Sequence, residues 1–176
     1  MENLSDFFPQ KFLELYEVHN FRHAAEVLST GCKQEFDELI ESLTNFRFAQ
    51  EDILAAGGNE SNIPKLIAAP LRPLGWYETR IKGDLIVKVT RHTGEGRQES
   101  QSLIEDYIDG HKVDFVKNRV AFDLEWNSKD QTFDRDLYAF RAFHEAGVIS
   151  AAVLLTRSES LNSVFKALGI MSKYGA

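Results

Sequence analysis

The stretch Val120-Ala-Phe-Asp-Leu-Glu-Trp126 reads as a strand with two unlike faces. Alternate side chains in a strand share a face. Val120, Phe122, Leu124 and Trp126 therefore point into a core, while Asp123, Glu125 and Asn127 point the opposite way. Nine positions before Asp123, Asp114 sits in the apolar run Val113–Val116. Carboxylates gathered this closely repel one another, and a divalent cation offsets that repulsion. An antiparallel strand with a solvated polar face carries acids as well, so spacing alone leaves both readings open.

At 176 residues the chain is long enough for one domain with a real core and too short for two comfortable ones. No apolar run reaches the length of a membrane span. The start, Met-Glu-Asn-Leu-Ser-Asp, lacks the basic and apolar segments of a secretory signal. Cys32 is the single cysteine, which excludes an internal disulfide and a multi-cysteine zinc site and fits a reducing cytoplasm. The net charge of −7 counts against a polyanionic partner in sum. Its distribution points the other way locally: residues 72–97 hold Arg72, Arg80, Lys82, Lys88, Arg91 and Arg97 against Glu78, Asp84 and Glu95.

Residues 1–70 read as mainly helical, after a short strand over 12–19. Asn20 is expected to cap a helix reaching Leu28. Phe36, Leu39, Ile40, Leu43 and Phe46 recur at helical spacing, which predicts an amphipathic helix over 33–46. This stripe is expected to be core, or else a helical dimer surface. Gly57-Gly58-Asn59 reads as a loop, and Pro64 as the start of a helix ending before Pro70. From Trp76 to Thr90 the residues favour β structure, with a turn or bulge at Gly83-Asp84. The polar segment 91–101 reads as a flexible loop. A second strand over Tyr107–Val116, a turn at Lys117-Asn118-Arg119 and a third strand over Val120–Trp126 follow. A helix capped by Asp130 or Thr132 carries Phe133, Leu137 and Phe140 and ends at Gly147. Val148–Leu155, apolar without alternation, is expected to be a central strand parallel to an earlier one. A last helix covers Leu161–Leu168. The order predicts an α/β (α+β) fold, a mixed sheet flanked by helices.

If Asp114 approaches the polar face of the third strand, Asp114, Asp123 and the backbone carbonyl of Leu124 supply hard oxygen ligands for Mg²⁺. Such a cation holds a phosphate and lowers the pKa of a bound water. Glu125 then stands beside that water as general base or further ligand. Asn127 and Lys129 continue the same face, where Lys129 can reach a phosphate oxygen.

This pattern (Asp114, then Asp123, Leu124 as the spacer, then Glu125) resembles the active site of the PD-(D/E)xK nucleases. Glu125 stands where most of them keep a lysine, and that replacement resembles the BglII/BstYI/BamHI type of type II restriction endonuclease. Residues 76–156 carry the resemblance as the catalytic core. Two positions depart from the pattern: Val113 replaces the proline that often precedes the first aspartate, and Asp123 is one methylene shorter than the usual glutamate. The resemblance implies a restriction-endonuclease-like core within a single nuclease domain over residues 1–176. It also implies a prokaryotic, cytoplasmic homodimer that cuts both strands of double-stranded DNA at a short palindrome, using Mg²⁺ bound by Asp114, Asp123 and the Leu124 carbonyl. Because members are generally longer, the chain is expected to be truncated at its C-terminus. A structure-specific repair or recombination nuclease, or a non-catalytic interaction domain with an acidic strand face, are the alternatives.

Arg91 and Arg97, with Asn127 and Lys129, are the expected DNA contacts. Glu78 is a candidate accessory acid. His92 has no second His or Cys at ligand spacing. His23, His111 and His144 are expected to be structural or exposed, and Trp76 and Trp126 to be core.

Overall fold

Helical periodicity gives way to strand alternation at Trp76, and the molecule is built in that order. A computed structural model describes residues 3–54, 62–126 and 130–169. Among the described residues five α-helices come first: α1 (Gln10–Leu13), α2 (Ala24–Gly31), α3 (Lys33–Asn45), α4 (Gln50–Leu54) and α5 (Asn62–Leu71). Then come β1 (Tyr77–Thr93), β2 (Gly96–Lys117) and β3 (Val120–Glu125), followed by α6 (Asp130–Glu145), β4 (Ala151–Thr156) and α7 (Asn162–Ala167). The sheet order is β1-β2-β3-β4. The first two pairings are antiparallel, and β4 runs parallel to β3 after the α6 crossover. This is the expected mixed sheet flanked by helices. Among the described residues no helix is long and apolar enough to cross a membrane.

The strand parity of 120–126 decides the layers. Val120, Phe122, Leu124 and Trp126 pack with Phe36, Leu39, Leu43, Ile63, Ile67 and Trp76 on the side of the N-terminal helices. Ala121 packs the other way, against Ala139, Phe140 and Phe143 of α6. Polar ties set the hairpin on α3. Lys117 Nζ lies 2.6 Å from Glu38 Oε1, Trp76 Nε1 donates to Glu38 Oε2 at 2.9 Å, and Asn118 Nδ2 donates to Glu35 Oε1 at 2.5 Å. Asn118 takes the left-handed conformation (φ 49°) that the turn requires and that Asn tolerates. Arg119 fixes β4 beside β3, donating from Nε to Ser150 Oγ and from Nη1 to the Gly147 carbonyl, both at 2.8 Å.

Several expectations change. Residues 12–19 hold no strand: Phe12 lies on α1 with its ring stacked on Tyr16, whose hydroxyl donates to the Leu43 carbonyl at 2.8 Å. Asn20 is not the residue flanking α2; left-handed His23 is, although Asn20 Oδ1 accepts from the Ala25 amide at 3.0 Å. Pro70 does not stop α5, because Ile63, Ile67 and Leu71, buried at i, i+4 spacing, hold the helix through it. Among the described residues strand β4 is an edge strand of the sheet rather than a central one, and α2 packs against it. Segment 91–101 is not a loop. It is the end of a long β1–β2 hairpin closed at Gly94-Glu95, because residues with no core to join still pair across strands, Arg91 with Gln98 and Lys88 with Gln101. The expected loop at Gly57-Gly58-Asn59 lies outside the described residues.

Candidate active site

Ala121, Asp123 and Glu125 all face α6, so the acidic face of the third strand lies under a helix. Asp123 is 3% exposed and Asp136, on α6, is 0% exposed. What brings β2 to this face is a bulge. Tyr77 pairs with Val116 and Thr79 with Val113, so three steps on β2 oppose two on β1. An extra residue re-aims the chain beyond it. Val113 and Val116, which unbroken alternation would place on opposite faces, both join the α6 cluster. His111, two before Val113, and Asp114, two before Val116, are thereby delivered to the same place.

Asp114 and Asp123 are locked to each other through the backbone. The Asp114 amide donates to Asp123 Oδ1 at 2.7 Å, and the Leu124 amide donates to Asp114 Oδ2 at 3.3 Å. His111 Nε2 lies 3.0 Å from Asp136 Oδ1 and 3.8 Å from Asp123 Oδ2. Only the shorter contact has hydrogen-bond length, and an acceptor-only carboxylate requires Nε2 to be the donor. Arg135 also donates to Asp136 Oδ1 at 3.2 Å, whereas Asp136 Oδ2 is buried with no hydrogen-bond partner among the described residues. Glu125 stands two positions beyond Asp123 on the same face, beside the Asp136 carboxyl.

Burial leaves Asp114, Asp123 and Glu125 short of water, and neighbouring carboxylates add to the effect. Burial pushes the Asp123 carboxyl up to about 7, with the charges of Asp114 and Asp136 adding to it against the Asp114 amide. Glu125 rises to about 8, first through burial and then through the adjacent Asp136 carboxyl. Asp114 is also raised by burial, while burial pulls the His111 imidazole down toward its neutral form. His111, Asp123 and Asp136 each offer a ligand atom within 4.8 Å of the others. Desolvated carboxylates, with an oxygen of Asp136 left unpartnered among the described residues, form a donor set that fits a hard divalent cation.

The structure thus brings Asp114, Asp123 and Glu125 together, with the Leu124 amide donating to Asp114. Glu78 is exposed and paired with Lys112 at 2.7 Å, and its charge adds to the rise of the Asp114 carboxyl. Arg91 and Arg97 lie far along the β1–β2 hairpin, where Arg97 is ion-paired with Glu99. Asn127 and Lys129 lie outside the described residues.

Asp136 and His111 are the additions. Asp136 carried a legible signal: it falls in one helical stripe with Ala139, Phe140 and Phe143, an acid in line with three buried apolar residues. The His111 signal is hidden by the bulge, which breaks the period-two rule, and its expected structural or exposed role gives way to a place in the acidic cluster.

A family model described as restriction endonuclease BglII/BglIII matches residues 16–176. No curated protein matches the chain.

Proposed function

Because the chain belongs to the BglII/BglIII restriction endonuclease family, we propose that it is a Mg²⁺-dependent endodeoxyribonuclease of the PD-(D/E)xK type. In this reading a cytoplasmic homodimer cuts duplex DNA at a short palindromic site. The observation that carries it is the mutual backbone lock of Asp114 and Asp123 beneath α6, surrounded by carboxyls that burial has raised.

Asp114, Asp123 and the Leu124 carbonyl would hold the cation, which when bound supplies counter-charge to the phosphate and acidity to a water. Each carboxylate already has one oxygen committed to an amide, so the lock sets its direction before any ligand arrives. Glu125, two positions along the same face, takes the proton from the attacking water. Its carboxyl, raised to about 8 by burial and the adjacent Asp136, would act as base once the charge of a bound cation has ionised it. His111 is a positioning residue: its Nε2–H holds Asp136 through Oδ1 and fixes the carboxyl beside Asp123 and Glu125.

The direct test is supercoiled plasmid incubated with the protein in Mg²⁺ and in excess EDTA. Discrete fragments in Mg²⁺ alone are expected, and plasmid left intact in Mg²⁺ would overturn the reading. Within that assay His111→Ala is expected to slow cleavage about ten- to a hundredfold, the usual cost of losing a partner behind a metal site. His111→Gln, which keeps a side-chain donor, is expected to recover part of the rate. Equal rates for all three proteins would remove His111 from the site.

A further inference from the structure

The β1–β2 hairpin is far longer than the sheet needs. Ile81 and Ile108 are its last residues before the turn that pack against the α6 cluster. Every residue from Lys88 to Tyr107 is exposed, and the two strands touch chiefly each other. From Leu85 to Thr93 the ribbon runs about 30 Å at the usual rise per residue. A lone two-stranded ribbon is marginal in water, so its exposure calls for a partner.

The two faces of this ribbon carry equal formal charge but differ in where a carboxylate lies. Cross-strand partners share a face. One face carries Leu85 with Ile104, Val87 with Ser102, Val89 with Ser100 and Arg91 with Gln98. The other carries Lys88 with Gln101, Thr90 with Glu99 and His92 with Arg97. Residues 85–93 contain no acid, and Glu99, the one carboxylate within 98–104, lies on the second face, ion-paired with Arg97. In a chain of net charge −7, the first face is therefore free of carboxylates and carries an exposed arginine with no ion-pair partner among the described residues.

That face is also the one on the side of the acidic cluster. All three register shifts between β1 and β2 place their extra residues on β2, so β1 alternates without interruption from Ile81 to Arg91. Ile81 packs on the α6 side and pairs with His111. Leu85, Val87, Val89 and Arg91 consequently continue the face on which His111 and Asp114 lie.

We propose that this carboxylate-free face of the ribbon lies in the major groove of the duplex being cut, with Arg91, Gln98, Ser100 and Ser102 meeting base edges and phosphates. The inference rests on the nuclease reading above. The major groove admits a two-stranded ribbon, and Arg and Gln suit the edges of guanine and adenine, while Val87 and Val89 suit a thymine methyl. Arg97, expected from the sequence to contact DNA, lies on the other face with Glu99.

Two charge reversals three residues apart on one strand test it. Arg91→Glu and Lys88→Glu change net charge equally but point to opposite faces. Binding is read by fluorescence anisotropy in Ca²⁺, on a plasmid fragment containing the cut site of the unaltered protein, and cleavage is read on the whole plasmid in Mg²⁺. Arg91→Glu is expected to weaken binding at least about tenfold at low salt and to slow cleavage in step, with Lys88→Glu within about threefold of the unaltered protein. Gln98→Ala is expected to widen the set of fragments produced. Equal effects of the two reversals, or none from either, overturn the inference while leaving the nuclease reading intact. So does Arg91→Glu if it leaves binding unchanged and instead lowers the solution mass, which would make the ribbon a contact between two copies. If the unaltered protein neither cuts nor binds plasmid, the nuclease reading itself falls and this inference falls with it.

Discussion

Asp123→Asn is expected to cut plasmid DNA at least about a thousandfold more slowly than the unaltered protein and yet to unfold at a higher temperature. Loss of cleavage follows from removing one of the two carboxylates locked together beneath α6. The gain in stability follows from the same burial. Asn keeps Oδ1, which accepts from the Asp114 amide at 2.7 Å, so the lock survives. What disappears is a buried carboxyl held at about 7 rather than 3.8. At a pH above 7 that difference corresponds to at most about 4 kcal/mol, and relaxation and water penetration bring the expected gain to about 2–3 kcal/mol. The sign sets the pH window. Asp123 is protonated in the folded protein up to about 7 but only to about 4 when unfolded. Between those values the folded state binds more protons, so metal-free stability falls as pH rises. Melting temperatures of the two proteins should therefore coincide near pH 4 and separate progressively up to pH 7, by calorimetry in EDTA. Added Mg²⁺ should raise the melting temperature of the unaltered protein more than that of the variant. A variant less stable than the parent at pH 8 would show that Asp123 is paired favourably without a cation.

Phe143→Ala is expected to remove about 3–5 kcal/mol of stability, a large part of what a domain of this size possesses. Phe143 is 0% exposed and packs with Val113, Ala121, Phe140 and Ile149. It anchors the helix that carries Asp136, so the variant should also lose cleavage at temperatures where it remains folded. Leu137→Ala supplies the contrast. Leu137 is on the same helix but 54% exposed, and its truncation should cost under about 1 kcal/mol. Similar midpoints for both variants in urea titrations would contradict the docking of α6 through the Phe143 face.

The acidic strand was legible because its rule is local. Alternation put Val120, Phe122, Leu124 and Trp126 in the core, and set Asp123 and Glu125 on the other face, without reference to anything distant. The helix over Lys33–Asn45 and the turn at Asn118-Arg119 were legible for the same reason, since a 3.6-residue period and a residue tolerant of left-handed backbone act within a few positions. The polar segment 91–101 was misread as a loop because its pairing stabilises it from across the hairpin, and composition carries no record of a partner strand.

By itself the sequence determined which residues of β3 are acids on the face opposite Val120, Phe122 and Leu124, and that Asp114 stands nine positions from Asp123. Only the tertiary structure decided that a bulge turns His111 toward that face and that the α6 crossover lowers Asp136 onto it. It also decided that the β1–β2 ribbon runs on, bare, beyond Ile81 and Ile108. The physical reason is range. Side-chain alternation is a property of neighbouring residues, whereas a bulge, a crossover angle and a ribbon's exposed face depend on pairings between segments far apart in the chain.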